Sequence, residues 1–66
     1  MKVVVNGEPC EIQDAATVRV LLEHLGLTTG LVAVEVNKAI VVRANHASHK
    51  LGEGDVIEVV QLVGGG

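Results

Sequence analysis

The sequence contains no phenylalanine, tyrosine or tryptophan, although 48% of its 66 residues are hydrophobic. Any core must therefore be built from valine, leucine and isoleucine. The same absence removes the stacking platforms on which single-stranded nucleic acids bind. Basic residues are scarce as well: five Lys and Arg against eight Asp and Glu give a formal net charge of -3. A mildly acidic chain without a basic stripe is not expected to bind nucleic acid. A lone cysteine, Cys10, excludes an internal disulfide. No apolar run approaches the ~20 residues that a membrane helix needs. The short run Val3 to Val5 is broken by Asn6 and Gly7, unlike the core of a signal peptide. These absences predict a soluble protein of the reducing cytoplasm, with no membrane partner.

Length excludes more. A chain this short forms one domain and buries only about 60% of the surface that its unfolded form exposes. Small-molecule clefts of ~300–1,000 Å³ would consume much of such an interior. A self-sufficient enzyme is therefore not expected. Disorder is excluded from the other side, because the aliphatic content is too high for an unstructured chain.

What is present reads as alternating strands and turns around one helix. Lys2 to Val5 is a short β-branched strand, Asn6-Gly7 is a strong hairpin turn, and Pro9 to Ile12 returns. Thr17 is a candidate N-cap. Val18, Leu21, Leu22 and Leu25 follow at the spacing of one helix face, and Gly26 stands where a helix is left. Leu31 to Val36 predicts a third strand, with Val32, Val34 and Val36 on one side. Asn37-Lys38 is a second turn, and Ala39 to Arg43 a fourth strand. The polar stretch from Ala44 to Lys50 is irregular, Leu51 anchors it, and Gly52-Glu53-Gly54-Asp55 is a turn. Val56 to Val63 is the last strand. A single apolar helical stripe is buried most simply across one face of a sheet. The expected fold is α+β, a β-grasp with a mixed four- to five-stranded sheet. Its last strand lies parallel to the first, between the two hairpins. The domain is expected over 1–63, with a flexible glycine tail over 64–66.

That tail, Gly64-Gly65-Gly66, is the most informative feature. Glycine loses more freedom on ordering than any other residue, so three in a row make poor structure. They make good sense as backbone that must enter a narrow channel, and three extended residues reach roughly 10 Å. A frayed end or an expression scar would look the same. No glycine-rich phosphate loop with a following lysine is present, so no nucleotide cofactor is expected to be bound.

Several segments resemble the sulfur carrier family of thiamine biosynthesis. They are Val5-Asn6-Gly7-Glu8, Leu21-Leu22-Glu23, Val34-Glu35-Val36-Asn37, Ile40-Val41-Val42-Arg43, Gly52 to Val60, and Val63-Gly64-Gly65-Gly66. Each motif is weak alone; their order, spacing and terminal glycines are specific together, and they span nearly the whole chain. The family often has proline where Val42 stands, a change that leaves the tail untouched. The resemblance implies a ubiquitin-like carrier rather than an enzyme. An E1-like adenylating enzyme would join the Gly66 carboxylate to AMP using ATP. A persulfide sulfur donor protein would convert it to a thiocarboxylate, and thiazole synthase would receive the sulfur. The small subunit of molybdopterin synthase shares this fold and ending. Carriers for tRNA thiolation or cysteine synthesis, a ubiquitin-like protein modifier and a passive interaction module are the other readings.

Docking on partners needs exposed apolar surface, and the last strand carries aliphatic residues at both parities. Val60 and Leu62, with Val4 and Val41, are expected on the outer face, and Val63 and Arg43 are expected as further docking residues. Cys10 reads as a small packed hydrophobe with nothing basic nearby to activate it. His46 and His49 are three apart but lack further ligands, so no metal site is expected and both read as solvated loop residues, as His24 does on the helix. The carboxylates Glu8, Glu11, Asp14, Glu53, Asp55 and Glu58 read as turn and solvent-face charges.

Overall fold

The computed structural model describes residues 1–62. Five strands and one α-helix follow the expected order: β1 (Lys2–Val5), β2 (Glu8–Glu11), α1 (Val18–His24), β3 (Leu31–Val36), β4 (Ala39–Val41) and β5 (Val56–Leu62). A 3₁₀ turn, Arg43–Asn45, lies between β4 and β5. The sheet order is β2-β1-β5-β3-β4. β5 runs parallel to β1 and antiparallel to β3, so the last strand fills the gap between the two hairpins. The expected end of β5 at Val63, and the boundary between a domain over 1–63 and a tail over 64–66, fall outside the described residues.

Local chemistry explains why the elements begin and end where they do. Both hairpin turns carry positive φ at their two central residues, 50° and 82° at Asn6 and Gly7, 52° and 70° at Asn37 and Lys38. That twist matches the right-handed twist of the flanking strands. Thr17 caps α1 by accepting a hydrogen bond from the Val20 amide at 3.2 Å. At the other end Gly26 turns left-handed, and the Gly26 and Leu27 amides donate to the Glu23 and Leu22 carbonyls at 3.1 and 2.8 Å. Such a pair of bonds closes a helix, and Leu27 packs back on the core as that closure requires. Leu25 is the C-cap and half-exposed, so the buried stripe of α1 is Val18, Leu21 and Leu22.

The core lies between α1 and one face of the sheet. Val3, Val5, Val34, Val36, Val41, Ile57 and Val59 supply the sheet side, with Ile12, Ala16 and Leu51 closing the edges. All are aliphatic. The other face of the sheet has no element packed on it among the described residues.

Two asparagines hold β5 in place. β1 ends at Val5, but the Asn6 side chain continues its ladder: Oδ1 accepts from the Val59 amide at 2.8 Å and Nδ2 donates to the Val59 carbonyl at 3.1 Å. Asn37 does the corresponding work at the start of β5, accepting from the Val56 amide at 3.0 Å and donating to the Asp55 carboxylate at 3.1 Å. Each hairpin turn thus clamps the strand that lies between the hairpins. Replacing Asn6 by glycine keeps the positive φ and removes only the two side-chain bonds. Asn6→Gly is expected to cost about 1–3 kcal/mol, because a half-buried strand amide and carbonyl lose their partners. Urea unfolding monitored by circular dichroism measures it; a loss below about 0.3 kcal/mol would mean that water replaces the clamp fully.

Candidate functional site

The outer face of the sheet is built by strand alternation. Val34, Val36, Ile57 and Val59 point to the helix, so Ala33, Glu35, Glu58, Val60 and Leu62 point away. Val60 is 56% exposed and Leu62 50%, with Leu31, Ile40 and Val42 exposed around them. Val4 lies on the same face of β1 and is half-buried. Cross-strand register arranges the face in rows: Leu31 opposite Leu62, Ala33 opposite Val60, Glu35 opposite Glu58. A shallow hollow of about 340 Å³ lies over it, bordered by Ala33, Ile40, Val42, Arg43 and Val60. Leu62, on which β5 ends, is separated from the glycine run in the sequence by Val63 alone.

Val41 is a correction. It is 5% exposed and belongs to the core. The Asn37-Lys38 turn pairs Val41 with Val34, and residues directly opposite in a sheet share a face. Since Val34 faces the helix, Val41 must too, and Ile40 and Val42 are the outward residues of that segment. Arg43 is exposed, but it starts the 3₁₀ turn rather than extending β4. The expected site residues Val63, Gly64, Gly65 and Gly66 lie outside the described residues.

His46 is a second correction. It is 9% exposed rather than solvated, and its Nε2 donates to the Val41 carbonyl at 3.0 Å. The bond ties the segment after β4 to the last residue of that strand and satisfies the buried imidazole. The His46 and His49 carbonyls in turn accept from the Arg19 and Val18 amides at 2.9 and 3.0 Å, tying this segment to the first turn of α1. His46 therefore has a packing role. A smaller hollow of about 230 Å³ lies beside it, lined by Arg19, Leu22, Glu23, Leu27 and Arg43. Arg19 there faces Glu23 at 3.6 Å, one helical turn on. Cys10 is a free thiol, partly buried against the core. Among the described residues, no group of three side chains is placed to hold a metal ion, and no helix is long and apolar enough to cross a membrane.

A helix across one face of a mixed sheet, an uncovered apolar opposite face and a glycine run beyond the central strand define a β-grasp carrier domain. Comparison with known proteins makes the class specific. The ThiS family model matches residues 3–66. The sulfur carrier protein ThiS of Escherichia coli K12 is 32% identical over 66 residues, covering the whole of both chains. The crystal structure of the thiamine biosynthesis protein ThiS from Geobacter metallireducens superposes with a TM-score of 0.84 at 29% identity, again over the whole of both chains. A thiazole synthase of Magnetococcus marinus is 46% identical over 66 residues, and this chain spans only 20% of that protein's length. The chain belongs to the ThiS family, the sulfur carriers of thiamine biosynthesis.

Proposed function

We propose that this chain carries sulfur on the Gly66 carboxylate and delivers it to a thiazole synthase. A carboxylate is a poor electrophile, because its charge is delocalised and oxide is a bad leaving group. An E1-like adenylating enzyme overcomes this with ATP: the Gly66 carboxylate oxygen attacks the α-phosphate, pyrophosphate departs and an acyl adenylate forms. The terminal sulfur of a protein persulfide then attacks the acyl carbon and AMP leaves. A second thiol cleaves the resulting acyl disulfide, releasing the thiocarboxylate. The carrier needs no ATP site of its own for this sequence, and contributes docking surface, reach and one reactive terminus. It acts as a substrate of other enzymes, in the cytoplasm.

The observation that carries this reading is the family match, which runs through the glycine run to residue 66. Thiazole synthase as the receiving partner is supported by the Magnetococcus marinus relative, in which a segment similar to this chain forms part of a thiazole synthase. The test is the intact mass of the protein, free at its C terminus, after incubation with the adenylating enzyme, ATP and a persulfide donor. The expected result is a gain equal to exchanging one oxygen for sulfur, absent when ATP is omitted. No gain with an enzyme that adenylates another carrier would overturn the reading. Conjugates that survive a denaturing gel would instead favour a protein modifier.

A further inference from the structure

The outer face is not uniformly apolar. Glu35 and Glu58 stand directly opposite each other on the two central strands β3 and β5. Their Cβ atoms are therefore about 5 Å apart, an arrangement that destabilises a sheet. Neither carboxylate forms an ion pair or a hydrogen bond with any of the described residues. The isolated domain gains nothing from the pair.

The pair also has a fixed place relative to the end of β5. Counting back from Leu62, the rows are Leu31/Leu62, Ala33/Val60 and then Glu35/Glu58. Four residues of strand put the acidic row about 13 Å behind the point where β5 ends. Arg43 borders the same hollow from the other side of the apolar row, because the chain leaving β4 runs back toward the start of β3. Arg43 thus stands on the Leu62 side of the acidic row, and the opposite end of the face carries Lys2 on β1 beyond the two carboxylates. The acidic row sits off-centre on an otherwise largely aliphatic face, so it distinguishes one direction of docking from the reverse for a partner with a matching basic group.

We propose that Glu35 and Glu58 are the orientation determinant for docking on thiazole synthase, receiving one basic side chain of that enzyme between them. The inference rests on the carrier reading above and adds the chemistry of the contact. The synthase surface sets apolar side chains against Ala33 and Val60. It places an arginine or lysine about 13 Å from the mouth of the channel that admits the glycine tail. Arg43 then faces an acidic group near that mouth. The unfavourable pair in the free domain becomes a bidentate receptor in the complex.

The test is titration of purified thiazole synthase with the full chain and three variants, read by calorimetry, beside the melting temperature of each carrier. Glu35→Gln and Glu58→Gln are each expected to weaken binding about ten-fold or more. Their melting temperatures should hold or rise by a few degrees as the like-charge contact is relieved. Binding of the unmodified carrier should weaken as salt is raised, and binding of the double glutamine variant should lose most of that dependence. Val60→Asp, in the neighbouring row, should abolish binding without unfolding the domain. Glutamine variants that bind as tightly as the parent overturn the proposal, as does a fall in their melting temperature, which would make the pair structural. Loss at Val60→Asp alone would keep the docking face and remove the acidic pair from it. Weakened adenylation with unchanged synthase binding would assign the pair to the other enzyme and overturn it as well. None of these outcomes touches the mass gain at Gly66, so failure here is separable from failure of the carrier reading.

Discussion

Replacing Leu21 by alanine is expected to be among the most destabilising single changes in the domain, at about 2–5 kcal/mol. Leu21 is fully buried and is among the largest side chains in the core. Truncating a buried leucine costs about 2–5 kcal/mol, and the cost rises with the cavity that neighbours fail to fill. Here they fill little. The other large, fully buried side chains of the core, Val3, Val18, Val34 and Ile57, are β-branched and stiff at χ1. No aromatic ring is present to tip into the space. A domain of this length has a total stability of about 3–10 kcal/mol, so at mid-range Leu21→Ala removes about half of it. Chemical denaturation monitored by far-UV circular dichroism measures the loss. Leu62→Ala on the outer face should cost less than about 0.5 kcal/mol. Equal losses for the two variants would contradict the division of the sheet into a core face and a free face.

That division was legible in the sequence wherever a residue carried its own geometry. Asn6-Gly7 fixes a hairpin because both residues accept positive φ, and the spacing of Val18, Leu21 and Leu22 before Gly26 fixes a helix with its stop. Val56 to Leu62 alternates with Ile57 and Val59 inward, so Val60 and Leu62 could be placed on the outer face by parity alone. Ala39 to Val42 could not, because four apolar residues in a row mark neither face. The register of that strand comes from the turn at Asn37 and Lys38, and it sent Val41 inward with Val34. Histidine 46 was misplaced for a related reason. Its polarity points to solvent, and its burial depends on a hydrogen bond to the Val41 carbonyl that the folding back of the segment after β4 creates. The Asn6 clamp on Val59 joins residues 53 apart, and nothing in either local sequence announces it. The opposed pair Glu35 and Glu58 needed the same knowledge of register. Charges on a solvent face look harmless one at a time, and only the pairing of β3 with β5 reveals their conflict.

Deleting Gly66 is expected to abolish the sulfur-dependent mass gain while leaving the domain as stable as before. Among the described residues the buried ones lie between Val3 and Val59. Loss of Gly66 shortens the chain beyond Leu62 by one extended residue, about 3.4 Å. On the carrier reading proposed above, the carboxylate must meet the α-phosphate of a nucleotide held in the adenylating enzyme, while the outer face is held against that enzyme's surface. Two fixed ends leave little slack, and a misplacement of ~1 Å between reacting atoms already costs about a hundred-fold in rate. A full residue of displacement therefore amounts to complete loss on the time scale of the assay. Restoring the length with alanine in place of Gly66 separates reach from width. If the channel excludes side chains, the alanine variant stays inactive, since a Cβ enters where only backbone passes. If reach alone matters, it recovers. Pyrophosphate release measures the first step directly, and urea unfolding checks that the domain is intact. A shortened protein that still releases pyrophosphate at the parent rate would show that the end of the chain is not the group activated.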